Sequence, residues 1–331
     1  MTTTTTMLAA TQDRYGDADV LAVRAVPRPV VGDGEVLISV RAAGCGPDVM
    51  HVMTGKPYFA RTMLGFTKPK QTVAGRDVAG VVVAVGDGVE GFAVGDEVYG
   101  AATSGSFAEY AVAPATQLAH KPSSLSFVEA AAVPVSGGTA LQALQKAGVG
   151  EGSRVLVIGA GGGVGSFAVQ IATALGARVT AMCSAGKEEL VRSLGAKDVL
   201  DYARAEVDRD GAFYDVVVDT AGNRRISLLR KALKPGGTLV IVGGESAGGR
   251  LLGGFQRQLL LPLRAPFTRG QKLIGLISTE EAASYVELAR LADEGSLRPV
   301  VGATYPLTQA ADAVRDIAGK HTTGKIVVTV D

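Results

Sequence analysis

The chain has 331 residues, 47% of them hydrophobic and 20% charged, with 33 Lys+Arg against 32 Asp+Glu. That length suits about two domains with sizeable cores, and the composition excludes a disordered chain. The charge balance gives no reason to expect a nucleic acid or an anionic membrane as partner.

The N-terminal MTTTTTM has neither a basic region nor an apolar core. It reads as a tail before a strand near Leu8, not as a signal peptide. No stretch of 18 or more apolar residues runs uninterrupted, so no transmembrane helix is expected. Cys45 and Cys183 are the only cysteines. Two distant cysteines suit a reduced, cytoplasmic protein, and a zinc lobe held by four cysteines is ruled out. Up to residue 125 the chain reads as short strands punctuated by glycine. GEVLISVRAAG (34–44), AGVVVAVGDGV (79–89), GDEVYGA and GSFAEYAVAP have strand character, which implies a compact barrel-like β unit.

The texture changes near residue 126. Ser126 is placed as an N-cap with Glu129 three residues on, opening a helix. Apolar strands then alternate with amphipathic helices: SRVLVIGA, VGSFAVQIATALGA, RVTAMCS, GKEELVRSLGA, DVLDY, YDVVVDTAG, RISLLRKALKPGG and TLVIVGG. This is the pattern of a parallel sheet covered on both faces. QKLIGLIS adds a strand and TEEAASYVELARLADEG a long helix, and the terminal GKIVVTV can return to the first domain. The fold class is α/β, with a β-barrel domain at 1–125 and 296–331 and a Rossmann-like domain at 126–295.

VLVIGAGGGVGSFAVQ is the most informative segment, because a buried strand runs into glycines and a helix starts at once. Ala160, Gly162 and Gly165 occupy the three small-residue positions of the dinucleotide fingerprint. The helix-start amides at Gly163 and Val164 face the pyrophosphate. At the end of the next strand an NAD site usually carries Asp or Glu, whereas this chain has Ser184 followed by Lys187. A neutral residue and a cation match a 2′-phosphate, so NADPH is the expected cofactor. Glu188 and Glu189 read as first-turn helix residues.

The chain resembles the medium-chain dehydrogenase/reductase superfamily, and within it the zinc-free quinone oxidoreductase branch. The resemblance rests on residues 75–100, 105–114, 129–144, 159–172, 193–202, 233–244 and 324–330. It implies a GroES-like substrate domain, a Rossmann-like cofactor domain and a homodimer formed through the QKLIGLIS strand. It further implies that Lys187 and Tyr202 hold the 2′-phosphate, and that Thr139 lies near the phosphates and nicotinamide. Gly243 and Gly244 would pass the nicotinamide, and Lys325 would reach the cofactor from the C-terminal side.

Catalytic zinc needs three protein ligands and an open position. Cys45, Gly46 and Asp48 imitate the Cys-Gly-Thr/Ser-Asp motif of the zinc alcohol dehydrogenases, with Pro47 in the hydroxyl position. The Gly-His-Glu motif is matched by Gly75, Arg76 and Asp77, and the third ligand is missing around AAVPVSGG. No metal is therefore expected. The zinc-free branch usually reads Val-Asn-Pro-x-Asp at this point. Depending on the register, Gly46 replaces the asparagine and Val49 the aspartate, or Asp48 keeps the acidic position and one residue is lost before it.

The expected reaction is zinc-independent hydride transfer from NADPH to a quinone or an α,β-unsaturated carbonyl acceptor. Tyr58 and His51 are the candidate proton donors. Cys45, Asp48, Met50, Tyr58 and Phe66 are the candidate pocket residues. The alternatives are a zinc-independent alcohol/ketone oxidoreductase and a non-catalytic NADPH-binding module.

Overall fold

The computed structural model describes residues 5–207, 213–242, 256–259, 261, 270–319 and 322–330. Its strands in chain order are β1 (Thr6–Thr11), β2 (Ala22–Pro27), β3 (Glu35–Cys45), β4 (Asp77–Val85), β5 (Glu97–Ala101), β6 (Tyr110–Pro114), β7 (Leu118–His120), β8 (Arg154–Ile158), β9 (Arg178–Cys183), β10 (Asp198–Asp201), β11 (Tyr214–Asp219), β12 (Leu233–Ile241), β13 (Lys272–Gly275), β14 (Val301–Pro306) and β15 (Lys325–Thr329). No helix among the described residues is long and apolar enough to cross a membrane.

The chain divides into two compact units, residues 1–138 with 280–331 and residues 139–279. Both boundaries lie inside those expected from the sequence, at 125/126 and 295/296. The reason is packing. The helix Phe127–Ala131 rests on β3 and β4, and the helix Ala282–Asp293 rests on β7, so both belong with the β unit. Ser126 and Glu129 do form a capping box. The Ser126 amide donates to the Glu129 carboxylate at 2.9 Å, and the Glu129 amide donates to the Ser126 hydroxyl.

In the first unit the sheet order is β14-β15-β3-β4-β5-β7, with β6 also pairing with β3 and β1-β2 forming a separate hairpin. β15 and β4 both run antiparallel to β3. The end of β3 (Cys45) therefore lies beside the starts of β4 (Asp77) and β15 (Lys325), with Ile326 directly opposite Cys45. Two register shifts in the β3–β4 pair, at Leu37/Ile38 and Val40/Ala42, give β3 the extra bend a barrel-like sheet needs. Ile38, Val40, Val78, Val98 and Phe107 fill the core beneath it.

In the second unit six parallel strands run in the order β10-β9-β8-β11-β12-β13. The strands are apolar along their length because both faces are covered, and Leu156, Ile158, Val217, Leu239 and Ile241 are almost fully buried. Strand order reverses between β8 and β11. Ligands of open parallel sheets bind outside the carboxyl ends at such a switch point. β13 ends the sheet.

Candidate cofactor and active site

β8 delivers the chain to the switch point. It ends at Ile158 and is followed by Gly159, whose φ is +80°. Gly159 is thus the left-handed residue of the turn, one place before the Ala160 singled out in the sequence. Ala160 is buried, and its amide donates to the Met182 carbonyl at 3.1 Å. Gly162 caps the helix Gly163–Ala174, so the amides of Gly163 and Val164 have no acceptor inside the helix. Gly165 permits the close approach of helix and turn. A Cβ there would lie 2.1 Å from the Gly159 carbonyl oxygen.

Ser184, Lys187 and Tyr202 come together at the end of β9. The Lys187 amide donates to the Ser184 carbonyl at 2.9 Å, and the Tyr202 amide donates to the Cys183 carbonyl at 3.1 Å. Lys187 arches over the glycine turn, with its Nζ 3.4 Å from the Gly161 carbonyl oxygen. A Cβ on Gly161 would lie 2.6 Å from the lysine stem, which explains a glycine whose importance the sequence did not reveal. Burial pushes the Lys187 ammonium below the ordinary lysine range. Its desolvated charge stands over the turn, while the Tyr202 side chain is exposed beside it. Glu188 pairs with Arg192 along its own helix at 2.8 Å.

Thr139 is buried, with its hydroxyl 2.8 Å from that of Ser278. Three residues on, Gln142 bonds Thr279, donating to its carbonyl at 2.7 Å and accepting from its amide at 3.1 Å and its hydroxyl at 3.5 Å. Thr139 and Gln142 lie on the helix Pro134–Ala147, and these polar groups fasten it to the segment after β13. Gln142, Ser278 and Thr279 carry no sequence motif and were not foreseen. Gly243 and Gly244 lie outside the described residues.

The first unit holds a buried charge cluster. The Lys325 Nζ donates to Asp77 Oδ2 at 2.9 Å, with both side chains under 5% exposed. The other Asp77 oxygen accepts from the Val135 amide at 2.9 Å. Gly46 opens the space for this pair. A Cβ there would lie 2.5 Å from Asp48 Oδ1 and 3.3 Å from Lys325 Nζ, so a larger side chain would make the Asp48 carboxylate shift. Burial alone would push the Lys325 ammonium down; the carboxylates of Asp77 and Asp48 outweigh it and hold its pKa above the ordinary lysine value. Burial, reinforced by the Asp48 charge, pushes the neighbouring Cys45 thiol well up. The ammonium of Lys325, expected to reach the cofactor from the C-terminal side, is bonded to Asp77.

These donors do not fit zinc. Lys325 places a positive charge against Cys45, Asp48 and Asp77, where the ion would need negative ligands. Arg76, in the place of the ligand histidine, is itself paired with Glu280, Nη2 to Oε2 at 3.0 Å. Among the described residues no group of three His, Cys, Asp or Glu side chains is arranged to hold a metal ion.

The five residues read as pocket walls fall in two places. Cys45 and Asp48 belong to the charge cluster, and Met50 packs on the core of the β unit. Tyr58 and Phe66 sit on an exposed segment. A recess of about 10 Å³ lies nearby, lined by Val49, Val52, Val73 and Arg76 with the amides of Gln12 and Gln71, and none of the five lines it. His51 Nδ1 is 2.7 Å from the Lys56 carbonyl oxygen, which ties it to the end of the helix Pro47–Thr54. That contact occupies one ring nitrogen of the second candidate proton donor. Tyr58 lies on the exposed segment, its ring 4.7 Å from the Arg61 guanidinium.

A tyrosine pair adjoins Arg76. The Tyr99 hydroxyl donates to the Tyr285 carbonyl at 2.5 Å, and the rings are 5.9 Å apart. The Tyr285 hydroxyl is buried with no hydrogen-bond partner, and burial, with the charges of Asp77 and Glu280, pushes it well up. Nothing in the spacing of these residues along the chain announced their meeting.

Residues 32–123 match the alcohol dehydrogenase GroES-like domain, and residues 194–328 match the zinc-binding dehydrogenase family. The chain is 35% identical over 309 residues to the 2-methylene-furan-3-one reductase of Solanum lycopersicum, covering 86% of this chain and 77% of that one. It is 33% identical over 319 residues to the chloroplast envelope quinone oxidoreductase homolog of Arabidopsis thaliana, covering 92% of each. A mycobacterial protein solved in complex with NADPH superposes with a TM-score of 0.81 at 28% identity, over 98% of this chain and 99% of the other. With the dinucleotide turn, the strand order and a donor set unsuited to zinc, these likenesses show that the chain belongs to the medium-chain dehydrogenase/reductase superfamily, in its quinone oxidoreductase branch.

Proposed function

We propose that this protein is an NADPH-dependent reductase of conjugated acceptors, a quinone or an α,β-unsaturated carbonyl compound. The observation that carries the reading is Lys187, whose partly buried ammonium stands over the glycine turn beside Ser184 and Tyr202. This arrangement suits a 2′-phosphate, with Ser184 standing where an NAD site usually carries Asp or Glu. When bound, NADPH supplies the hydride.

The chain's own groups do the rest. The free amides of Gly163 and Val164, with the helix dipole, hold the pyrophosphate. Lys187, Ser184 and Tyr202 hold the 2′-phosphate. The Thr139 hydroxyl is held by a hydrogen bond with that of Ser278 at 2.8 Å. Conjugation in the acceptor spreads the developing negative charge, so the reduction proceeds without a Lewis acid when a hydrogen bond or proton reaches the acceptor oxygen. Tyr58 carries an exposed hydroxyl suited to that role, whereas His51 has one ring nitrogen engaged with Lys56. Relatives named as a quinone oxidoreductase homolog and as a furanone reductase support the acceptor class. The position of β13 at the sheet edge supports a homodimer formed by pairing two copies of that strand.

The test is NADPH oxidation against a panel of quinones, enones, saturated ketones and aldehydes. Turnover confined to the conjugated acceptors is expected. Turnover of saturated ketones at the same rate would point to an alcohol/ketone oxidoreductase instead.

A further inference from the structure

The recess in the β unit measures about 10 Å³, room for one water-sized group. Val49, Val52 and Val73 wall it, and Gln12, Gln71 and Arg76 are its polar lining. No carboxylate lines it, because the stretch from Val49 to Arg76 contains no Asp or Glu.

The three polar side chains differ in what they have left to offer. The Gln12 amide nitrogen donates to the Met53 carbonyl at 3.2 Å and to the Arg14 carbonyl at 3.5 Å. The Gln71 amide nitrogen donates to the Val73 carbonyl at 2.9 Å and to the Gly75 carbonyl at 3.4 Å. Both NH2 groups are therefore committed. A guanidinium carries five N–H donors. That of Arg76 makes one ion pair among the described residues, from Nη2 to Glu280 Oε2 at 3.0 Å. The Arg76 side chain is also 38% exposed, so its remaining donors stay open to a ligand. Among the described side chains lining the recess, Arg76 alone keeps donors to give. A small space between apolar walls, with free cationic donors and no acid, matches an atom that accepts hydrogen bonds and gains negative charge.

The reduction proposed above generates such an atom. The C4–H bond of the nicotinamide breaks with its electron pair, and a C–H bond forms at the β-carbon of the acceptor. The C=C pair moves through the conjugated system onto the carbonyl oxygen. The enolate then takes a proton, from Tyr58 or water, leaving NADP+ and the saturated carbonyl compound. We infer that Arg76 stabilises this oxyanion, and that the recess seats the acceptor's carbonyl oxygen against its guanidinium. The inference rests on the reading of the protein as a reductase of conjugated acceptors. Arg76 holds the charge without giving up a proton, because a guanidinium stays protonated in proteins. Its part is therefore distinct from the proton delivery assigned to Tyr58.

The first test needs no turnover. 4-Nitrophenol is an oxyanion probe whose phenolate form is read by its visible absorbance. Wild type with NADP+ should lower the apparent pKa of the bound probe, Arg76→Met should abolish the shift, and Arg76→Lys should keep part of it. In steady-state enone reduction, Arg76→Met should lower kcat/KM roughly 100-fold, the effect of losing one oxyanion donor. NADPH affinity and far-ultraviolet circular dichroism should stay at wild-type values. Added guanidinium at millimolar concentration should restore part of the rate of Arg76→Ala, which it would not do for a residue that only supports the fold. Equal probe pKa values with wild type and Arg76→Met would overturn the inference, as would wild-type enone turnover by Arg76→Met. A probe shift confined to wild type, in a protein that reduces no conjugated acceptor, would instead remove the assigned reaction and leave the oxyanion site standing.

Discussion

The Lys325 ammonium and the Asp77 carboxylate meet at 2.9 Å with both side chains almost wholly buried, beside the Cys45 stretch that imitates a zinc motif. Three strand termini converge there, and Gly46 leaves the room that the lysine head occupies. Lys325 supplies internally the positive charge that the carboxylates of Asp48 and Asp77 would otherwise need from outside.

Removing one partner strands a buried charge. Lys325→Met is expected to cost about 3–5 kcal/mol, and Asp77→Asn in the same background to restore part of it. Denaturant unfolding of the two single variants and the double variant gives the coupling. The pH dependence follows from the raised lysine pKa. The contribution is complete below the unfolded-state value of about 10.4 and falls as pH rises through the higher folded value. The unfolding midpoint of the wild type should therefore drop more steeply above about pH 10.5 than that of the double variant.

Lys187→Ala removes the cation above the glycine turn. A charge-assisted bond of about 1.5–3 kcal/mol corresponds to a loss of roughly 10- to 150-fold in NADPH affinity. NADH affinity should change little. Titration of both dinucleotides by nicotinamide fluorescence measures the ratio, and an equal loss for the two would remove Lys187 from the 2′-phosphate site.

Gly165→Ala would place a methyl 2.1 Å from a backbone oxygen. Helix and turn must then separate, at an expected cost of about 1–3 kcal/mol, with a loss of dinucleotide binding. Calorimetric unfolding with and without NADPH checks this: the cofactor-induced rise in Tm should shrink along with the apo stability.

Tyr99→Phe and Tyr285→Phe should differ although the rings are neighbours. The first removes the donor to the Tyr285 carbonyl and should cost about 1 kcal/mol. The second removes a buried hydroxyl that has no partner and should leave stability unchanged or raise it by up to about 1 kcal/mol. Thermal unfolding of the two variants side by side decides it.

The sequence was most legible where local chemistry is periodic or contiguous. Glycines between a buried strand and a helix announced the dinucleotide turn, and Ser126 with Glu129 announced a capping box that the structure contains. The left-handed residue of the turn is Gly159, just before Ala160, because a run of five near-equivalent small residues does not fix which of them turns the chain. The Lys325–Asp77 pair spans 248 residues of chain and arises from strand pairing, which no local pattern encodes. Arg76 was conspicuous as the wrong residue for a zinc ligand, but its partner Glu280 was not. Whole-chain charge balance also concealed the acid-free segment from Val49 to Arg76, because an average carries no information about segregation.

The central claim is that the chain reduces conjugated acceptors with NADPH and no metal. Its most direct test is the steady-state oxidation of NADPH by protein treated with a strong chelator and shown to be metal-free, with an enone and its saturated ketone counterpart as paired acceptors. Full activity toward the enone and none toward the saturated ketone is the predicted result. Loss of enone turnover on metal removal, restored by zinc, would contradict it.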